Sequence, residues 1–429
     1  MPHYTSRSDS GIIHGFLGQG RIMSSHSHSY APGRWRMLTL MCIGVVGVMT
    51  TWFSATAIVP ELIIDWRLTT AQATWLTNAV QAGFVTGAIA ASLVSLPDIM
   101  PMQRLMTGAA LVAALANAML LLEPSAAGAI TARFVTGVAL AGVYPPALKL
   151  MATWFSHGRG LALGFLIAAL TLGSSMPHLL RALTDGIAWQ AVVIGTSALT
   201  LIAAGIFGFC VHEGPYGFGR ATFNPRQSLH VFTDKALWLA NLGYFGHMWE
   251  LYAMWAWILA FATAAQAQMG LPFGSASMLS FVVVGSGVIG CILGGVLSDR
   301  IGRCWTTAGM MLVSGTCALT IGFLFDGPAW ALGVVAVIWG ITVIGDSAQF
   351  SAAVTELADS HFVGTAVTLQ MGIGFALTVV AIWAVPLMAQ AVGWQWGFLI
   401  LVPGPVIGVI AMLALRRLPQ AIKMAGGAG

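Results

Sequence analysis

Twelve long apolar runs, parted by short polar breaks, constrain this chain more than any other feature of it. A spanning helix needs about 20 apolar residues, because the hydrocarbon core is about 30 Å thick and a helix rises 1.5 Å per residue. The runs lie near 37–59, 73–96, 105–122, 126–152, 160–182, 188–211, 236–264, 275–297, 305–324, 328–350, 363–388 and 394–415. None alternates apolar and polar residues over about ten positions, so a β-barrel is disfavoured. Turn residues support the cuts, as in Glu123-Pro124-Ser125 and Asp326-Gly327-Pro328. Only 7% of residues are charged and 58% are apolar, against about 25% charged in soluble domains. A water-soluble fold and a disordered chain are both excluded. The expectation is an all-α membrane protein of twelve spanning helices.

The longest break, 213–235, holds Gly214, Pro215, Gly217, Gly219 and Pro225 and divides six runs from six. Positions then repeat across it. Asp98 and Asp299 lie 201 residues apart, Gly142 and Gly345 203, and Gly160 and Gly364 204. Two copies of one six-helix design are expected, 37–212 and 236–418. Such repeats are common in secondary transporters. A polar tail, 1–36, precedes them and a short tail, 419–429, follows. The first tail lacks the apolar stretch of a signal peptide and is expected to be disordered; whether its His3, His14, His26 and His28 bind metal stays open. With both tails inside, fifteen Lys and Arg fall on the inner side and only Arg67 and Arg181 on the outer, with Arg133 inside a span. That bias places both termini in the cytoplasm. The net charge of +4 calls for no nucleic-acid partner. The five cysteines show no metal-ligand spacing and no disulfide is expected.

After the eighth run the chain reads Gly295-Val-Leu-Ser-Asp299-Arg300-Ile-Gly302-Arg303. Gly295 would let two helices approach closely. Asp299 can accept hydrogen bonds from a neighbouring helix start, and Arg300 and Arg303 can hold carboxylates, so a latch made in one state and broken in another is expected. A plain basic anchor is the other reading. The pattern resembles the G-x-x-x-D-R-x-G-R loop motif of the major facilitator superfamily. The fourth run, Arg133-Phe-Val-Thr-Gly137, also resembles that superfamily's R-x-x-x-G pattern. The resemblance covers 37–418 and implies a major facilitator fold, a bacterial inner-membrane location and a monomer. The first-half copy of the loop, Val94 to Arg104, keeps only Asp98 and a later arginine. The fifth run, with Gly173, Pro177 and His178, does not match the motif of the drug-exporting branch. The second and eighth runs lack the arginines of nitrate carriers.

Polar side chains inside the runs mark candidate sites, because the bilayer penalises them. His247 and Glu250 share a face of the seventh run at about 16 and 21 Å of depth. They are the candidate proton-coupling pair; a static buried pair is the alternative. Tyr244, Tyr252 and Trp255 point within about 60° of His247. Arg133, His178, Asn78, Gln81, Tyr244, Tyr252 and Gln370 are candidate substrate contacts. Arg133 is expected to face a cavity, with snorkelling to the interface as the alternative. Asp346 and Gln349, with Glu356 and Asp359 beyond, form an acidic patch expected to meet Arg300 or Arg303. Hence Asp299, Arg300, Arg303, Gly295 and Asp346 are the candidate gating set. The single H-x-x-E falls short of a di-iron site, so no metal and no cofactor are expected.

These features predict a secondary transporter that moves a small solute, best a small organic anion, coupled to protons. Export of a toxic molecule by proton antiport is the runner-up. A membrane sensor without flux belongs to a different class and would need a signalling domain. No nucleophile motif or phosphate loop is present, so an enzyme and an ATP-driven pump are not expected.

Overall fold

In hydrocarbon each backbone amide must find its partner within the chain, so the apolar runs close into helices. The computed structural model describes residues 31–94, 96–155, 159–184, 187–216, 232–268, 270–359 and 363–429. Residues 1–30 of the first tail with its four histidines, most of the central break, and the side chain of Asp98 lie outside the described residues; 34–36 of that tail already belong to the first helix. From Ala31 onward the chain forms one unit, helical throughout and without a β-strand among the described residues.

We number the twelve helical segments in order. In the first half they are α1 (Arg34–Met49), α2 (Thr70–Leu93), α3 (Met102–Ala118), α4 (Ala126–Ala141, continued as Tyr144–Ala152), α5 (Arg159–Leu183) and α6 (Gln190–Phe209). In the second they are α7 (Lys235–Gln266), α8 (Ala276–Ile301), α9 (Arg303–Thr320), α10 (Ala329–Gly345, continued as Ser347–Leu357), α11 (Val363–Val392) and α12 (Pro403–Arg416). Ten of these segments are long and apolar enough to cross a bilayer. The other two depart for different reasons. The 32 residues of α7 are ample in length, but Asn241, His247, Glu250 and its tryptophans lower its hydropathy. The other, α1, stops after 16 residues, although 37–59 reads as one continuous run.

That stop has a local cause. Past Met49 the hydroxyls of Thr50, Thr51 and Ser54 bond back to the carbonyls of Gly47, Val48 and Thr51, a competition that loosens helices. Helix resumes at Val59–Asp65 after one 3₁₀ turn. The unwound stretch is fully buried.

Packing repeats between the halves. In the first, α1 packs on α5 and α6, α2 on α4, and α3 on α4 and α6. In the second, α7 packs on α11 and α12, α8 on α10, and α9 on α10 and α12, which is the same list shifted by six helices. Two main seams join the halves, α5 against α8 and α2 against α11, and the same shift exchanges one for the other. The α2–α4 and α8–α10 pairs approach backbone to backbone. A methyl group at Gly137 would lie 2.0 Å from the Val80 carbonyl oxygen, and one at Gly340 would lie 1.9 Å from that of Val283.

Candidate functional site

On α7, His247 and Glu250 do share a face, yet they do not partner each other. Glu250 accepts hydrogen bonds on both carboxylate oxygens, from Ser314 of α9 at 2.8 Å and from the Trp339 indole of α10 at 2.7 Å. His247 Nδ1 instead lies 2.9 Å from Asp346 Oδ1. The three acids and bases are 2% exposed or less. Asp346, expected with the cytoplasmic latch, is therefore a buried partner of His247. The reason is the kink of α10: Gly345 ends one helical piece and Ser347 opens the next, which leaves Asp346 between them and against α7. Tyr244 and Phe350 flank the His247 ring at 6.0 and 5.4 Å. Both Asp346 oxygens and His247 Nε2 make no hydrogen bond among the described residues, so the contact is ionic in distance and open in geometry.

In the first half, Arg133 of α4 is fully buried and does not snorkel. Its guanidinium donates to the Trp52 carbonyl at 2.6 Å, to Ser54 at 3.0 Å and to Asn117 at 3.1 Å. Trp52 and Ser54 belong to the unwound stretch after α1, so the arginine caps the Trp52 carbonyl that the broken helix leaves open and the Ser54 hydroxyl beside it. Asn117 of α3 also donates to Thr196 and Ser197 of α6. All the partners are neutral, and no carboxylate pairs with Arg133 among the described residues. Asn117, Ser314 and Trp339 escaped the sequence reading. Asn117 was visible as an amide inside an apolar run; Ser314 and Trp339 carry no such signal.

Between the halves lies a cluster of rings. Trp52 stacks on Tyr252 at 5.5 Å and 23°, Phe53 meets Trp255 at 6.1 Å, and Phe84 meets Phe375 at 4.6 Å. The first ring of each pair comes from the first half and the second from the other. Asn78 donates across the α2–α11 seam to the Val379 carbonyl at 3.2 Å. Gln370 approaches the Phe350 carbonyl at 3.5 Å. Gln81 and both ring nitrogens of His178 are buried and unbonded among the described residues. Of the tryptophans beside the pair, Trp249 donates to Ile400 and Trp257 to Ile382, so both serve helix packing.

At the basic end, Arg303 opens α9 after Gly302, whose φ of 88° turns the chain. It forks onto Glu356 at 2.5 and 2.7 Å and reaches Gln349 and Ser298 at 2.6 and 2.9 Å. Asp299 and Arg300 are exposed and have no such partner among the described residues. Gly295 also departs from expectation, since a methyl group there would meet nothing within 4 Å. The close approach belongs to Gly294, where a methyl would lie 1.7 Å from the Gly345 carbonyl oxygen. On a helix the two positions differ by about 100°, and only Gly294 faces α10.

Known proteins bear on this arrangement. The sequence profile described as Major Facilitator Superfamily matches residues 40–378. An MFS-type transporter of Aspergillus terreus, pytF, is 25% identical over 39% of this chain and 55% of its own length. A protein of Cupriavidus necator named "Probable sulfoacetate transporter" is 24% identical over 60% of this chain and 58% of its own. The chain thus spans little more than half of either relative. The crystal structure of a bacterial homolog of the human lysosomal transporter Spinster, inward-facing and unoccupied, superposes with a TM-score of 0.69. It shares 15% identity and covers 90% of this chain and 98% of that one, a likeness of fold alone.

Proposed function

The chain belongs to the major facilitator superfamily, a family of multi-pass membrane transporters and not of enzymes, and from that premise we propose that it moves a small organic anion by alternating access coupled to protons. The observation that carries the reading is the buried His247–Asp346 contact, with Glu250 one turn away on the same helix. A carboxylate and an imidazole held out of water bind or release a proton as water reaches them from one side or the other. Glu250 has both oxygens engaged by fixed donors, so we assign proton exchange to the His247–Asp346 pair and a supporting place to Glu250.

Two things support an anionic substrate. Arg133 is a buried cation whose partners are all neutral, and the Cupriavidus necator relative is named for sulfoacetate. The rings and the side chains of Asn78, Gln81, His178 and Gln370 along the seams would contact the solute. The moving bodies would be 37–212 and 236–418, with Arg303–Glu356 bracing α9 against α10 inside the second. The basic bias supports cytoplasmic termini in a bacterial inner membrane.

The test is pH-driven uptake of a panel of carboxylic and sulfonic acids into proteoliposomes. Asp346→Asn should abolish accumulation driven by a proton gradient while leaving exchange of labelled for unlabelled solute. Glu250→Gln should lower the amount of folded protein more than it lowers coupling. If Asp346→Asn still concentrates solute under a proton gradient, the pair is not the coupling site. If no acid in the panel is taken up, the anion assignment fails.

A further inference from the structure

A groove on the described surface lies apart from His247, Glu250 and Arg133, none of which lines it. It measures about 700 Å³ and is lined by Trp305, Leu413, Arg416, Arg417, Leu418 and Ile422 together with the backbone of 427–429. It sits where α9 begins and α12 ends, at the basic end of the bundle. No acidic side chain lines it. The Arg416 guanidinium lies over the Trp305 ring at 5.4 Å and donates to the Ala428 carbonyl at 3.0 Å. Arg417 is exposed.

Its surroundings make it more than a basic patch. Along α12 the exposed positions include Val406 and Ile410, and the exposed Arg417 caps the helix, spacings of four and seven that keep one face of a helix. Along α9 they include Trp305, Gly309 and Leu312, again one face. Nothing lies within 4 Å of where a methyl group at Gly309 would sit, so the α9 stripe is notched just beneath the tryptophan. Two cations and an indole thus cap two adjacent apolar stripes on helices that pack together. A free anion would use only the cations. A molecule with a negative headgroup and long hydrocarbon chains would use every part.

We propose that this groove binds an anionic phospholipid, its phosphate between Arg416 and Arg417 and its acyl chains along the α9 and α12 stripes past Gly309. Basic pockets at helix ends on a charged leaflet have the chemistry for this role, and tryptophan beside them suits the interface. The tail that walls the groove also touches the Arg303–Glu356 pair, since the Ala425 amide donates to Glu356 at 3.1 Å and the Cys304 amide to the Gly429 carbonyl at 3.1 Å. Lipid held there would brace the same end of the bundle that Arg303 braces.

The experiment is native mass spectrometry of the full chain in detergent, titrated with phosphatidylglycerol, with phosphatidylcholine and inorganic phosphate as comparators. The wild type should retain phosphatidylglycerol and release phosphatidylcholine. Arg417→Ala should weaken phosphatidylglycerol retention about fivefold, and the double change with Arg416→Ala on the order of twentyfold. Arg416 also holds the tail, so Arg417→Ala, which breaks no bond to it, suffices as the test if the double variant misfolds. Arg300→Ala, at an exposed cation outside the groove, should leave phosphatidylglycerol retention as in the wild type. Equal retention by Arg417→Ala and wild type, or equal retention of the two lipids, would overturn the proposal. So would displacement of the lipid by inorganic phosphate at matching concentration, which would put a free anion there.

Discussion

A guanidinium taken out of water costs several kilocalories per mole unless its donors are matched, and Arg133 matches three of them to oxygens that need a donor. The exchange runs both ways, because the Trp52 carbonyl has no helix to bond into. Arg133→Ala should therefore destabilise the protein by about 2–4 kcal/mol, from one open carbonyl and a cavity. Arg133→Lys, which keeps the charge and loses the fork, should fall between. Thermal unfolding in detergent, followed by tryptophan fluorescence, measures this; an unchanged midpoint in Arg133→Ala would mean the break in α1 holds itself. Sequence reading located Arg133, His247 and Glu250, because a charge inside an apolar run stands out against it. It could not name their partners. Spacing along one helix puts His247 beside Glu250, but Asp346, Ser314 and Trp339 come from other helices, and the Trp52 carbonyl is backbone that any residue would supply.

Helices carry the next level, and here two neighbouring glycines separate motif from packing. Gly295 belongs to the loop pattern but faces open space, while Gly294 lies against the Gly345 backbone. Gly295→Ala should be neutral or stabilise by up to roughly 1 kcal/mol through helix propensity. Gly294→Ala must push α8 and α10 apart and should sharply reduce folded protein in membranes. Size-exclusion yield and melting temperature compare the two; equal behaviour would show that the α8–α10 contact gives way easily. The number and placement of the helices were legible because each falls on one apolar run. The stop after Met49 was not. Thr50, Thr51 and Ser54 stand among Trp, Phe, Ala and Ile, and hydropathy averages them away, although hydroxyls in that density compete for backbone carbonyls. The kink at Asp346 was hidden in the same way, and it moved a residue from the surface latch into the core.

At the scale of the whole molecule, two halves with the same packing list meet along two seams that exchange under their repeat, and rings from both halves fill the space between. Tyr252 lies 17 residues beyond Lys235, about 26 Å along α7 from the basic end, and Trp52, in the unwound stretch after α1, stacks on it. In the alternation proposed above the cluster would be a seal, which the two halves would have to part to admit solute from the far side. Tyr252 contributes most, touching Trp52, Phe53, Trp255 and Phe375. Each ring pair is worth about 0.5–1.5 kcal/mol beyond its buried area. Two of these contacts, those to Trp52 and Phe53, join it to the first half. Tyr252→Ala should then shift the balance toward the state open at the far end by roughly tenfold or more. Spin labels on cysteines placed at the exposed Ile64 and Phe273, in a chain stripped of its five native cysteines, would read the change as distances between the two halves. The variant should populate a longer distance that the parent chain reaches only rarely. If both chains give one and the same short distance with and without substrate, the ring cluster is static packing, and the seal must be sought at the Arg303–Glu356 end instead.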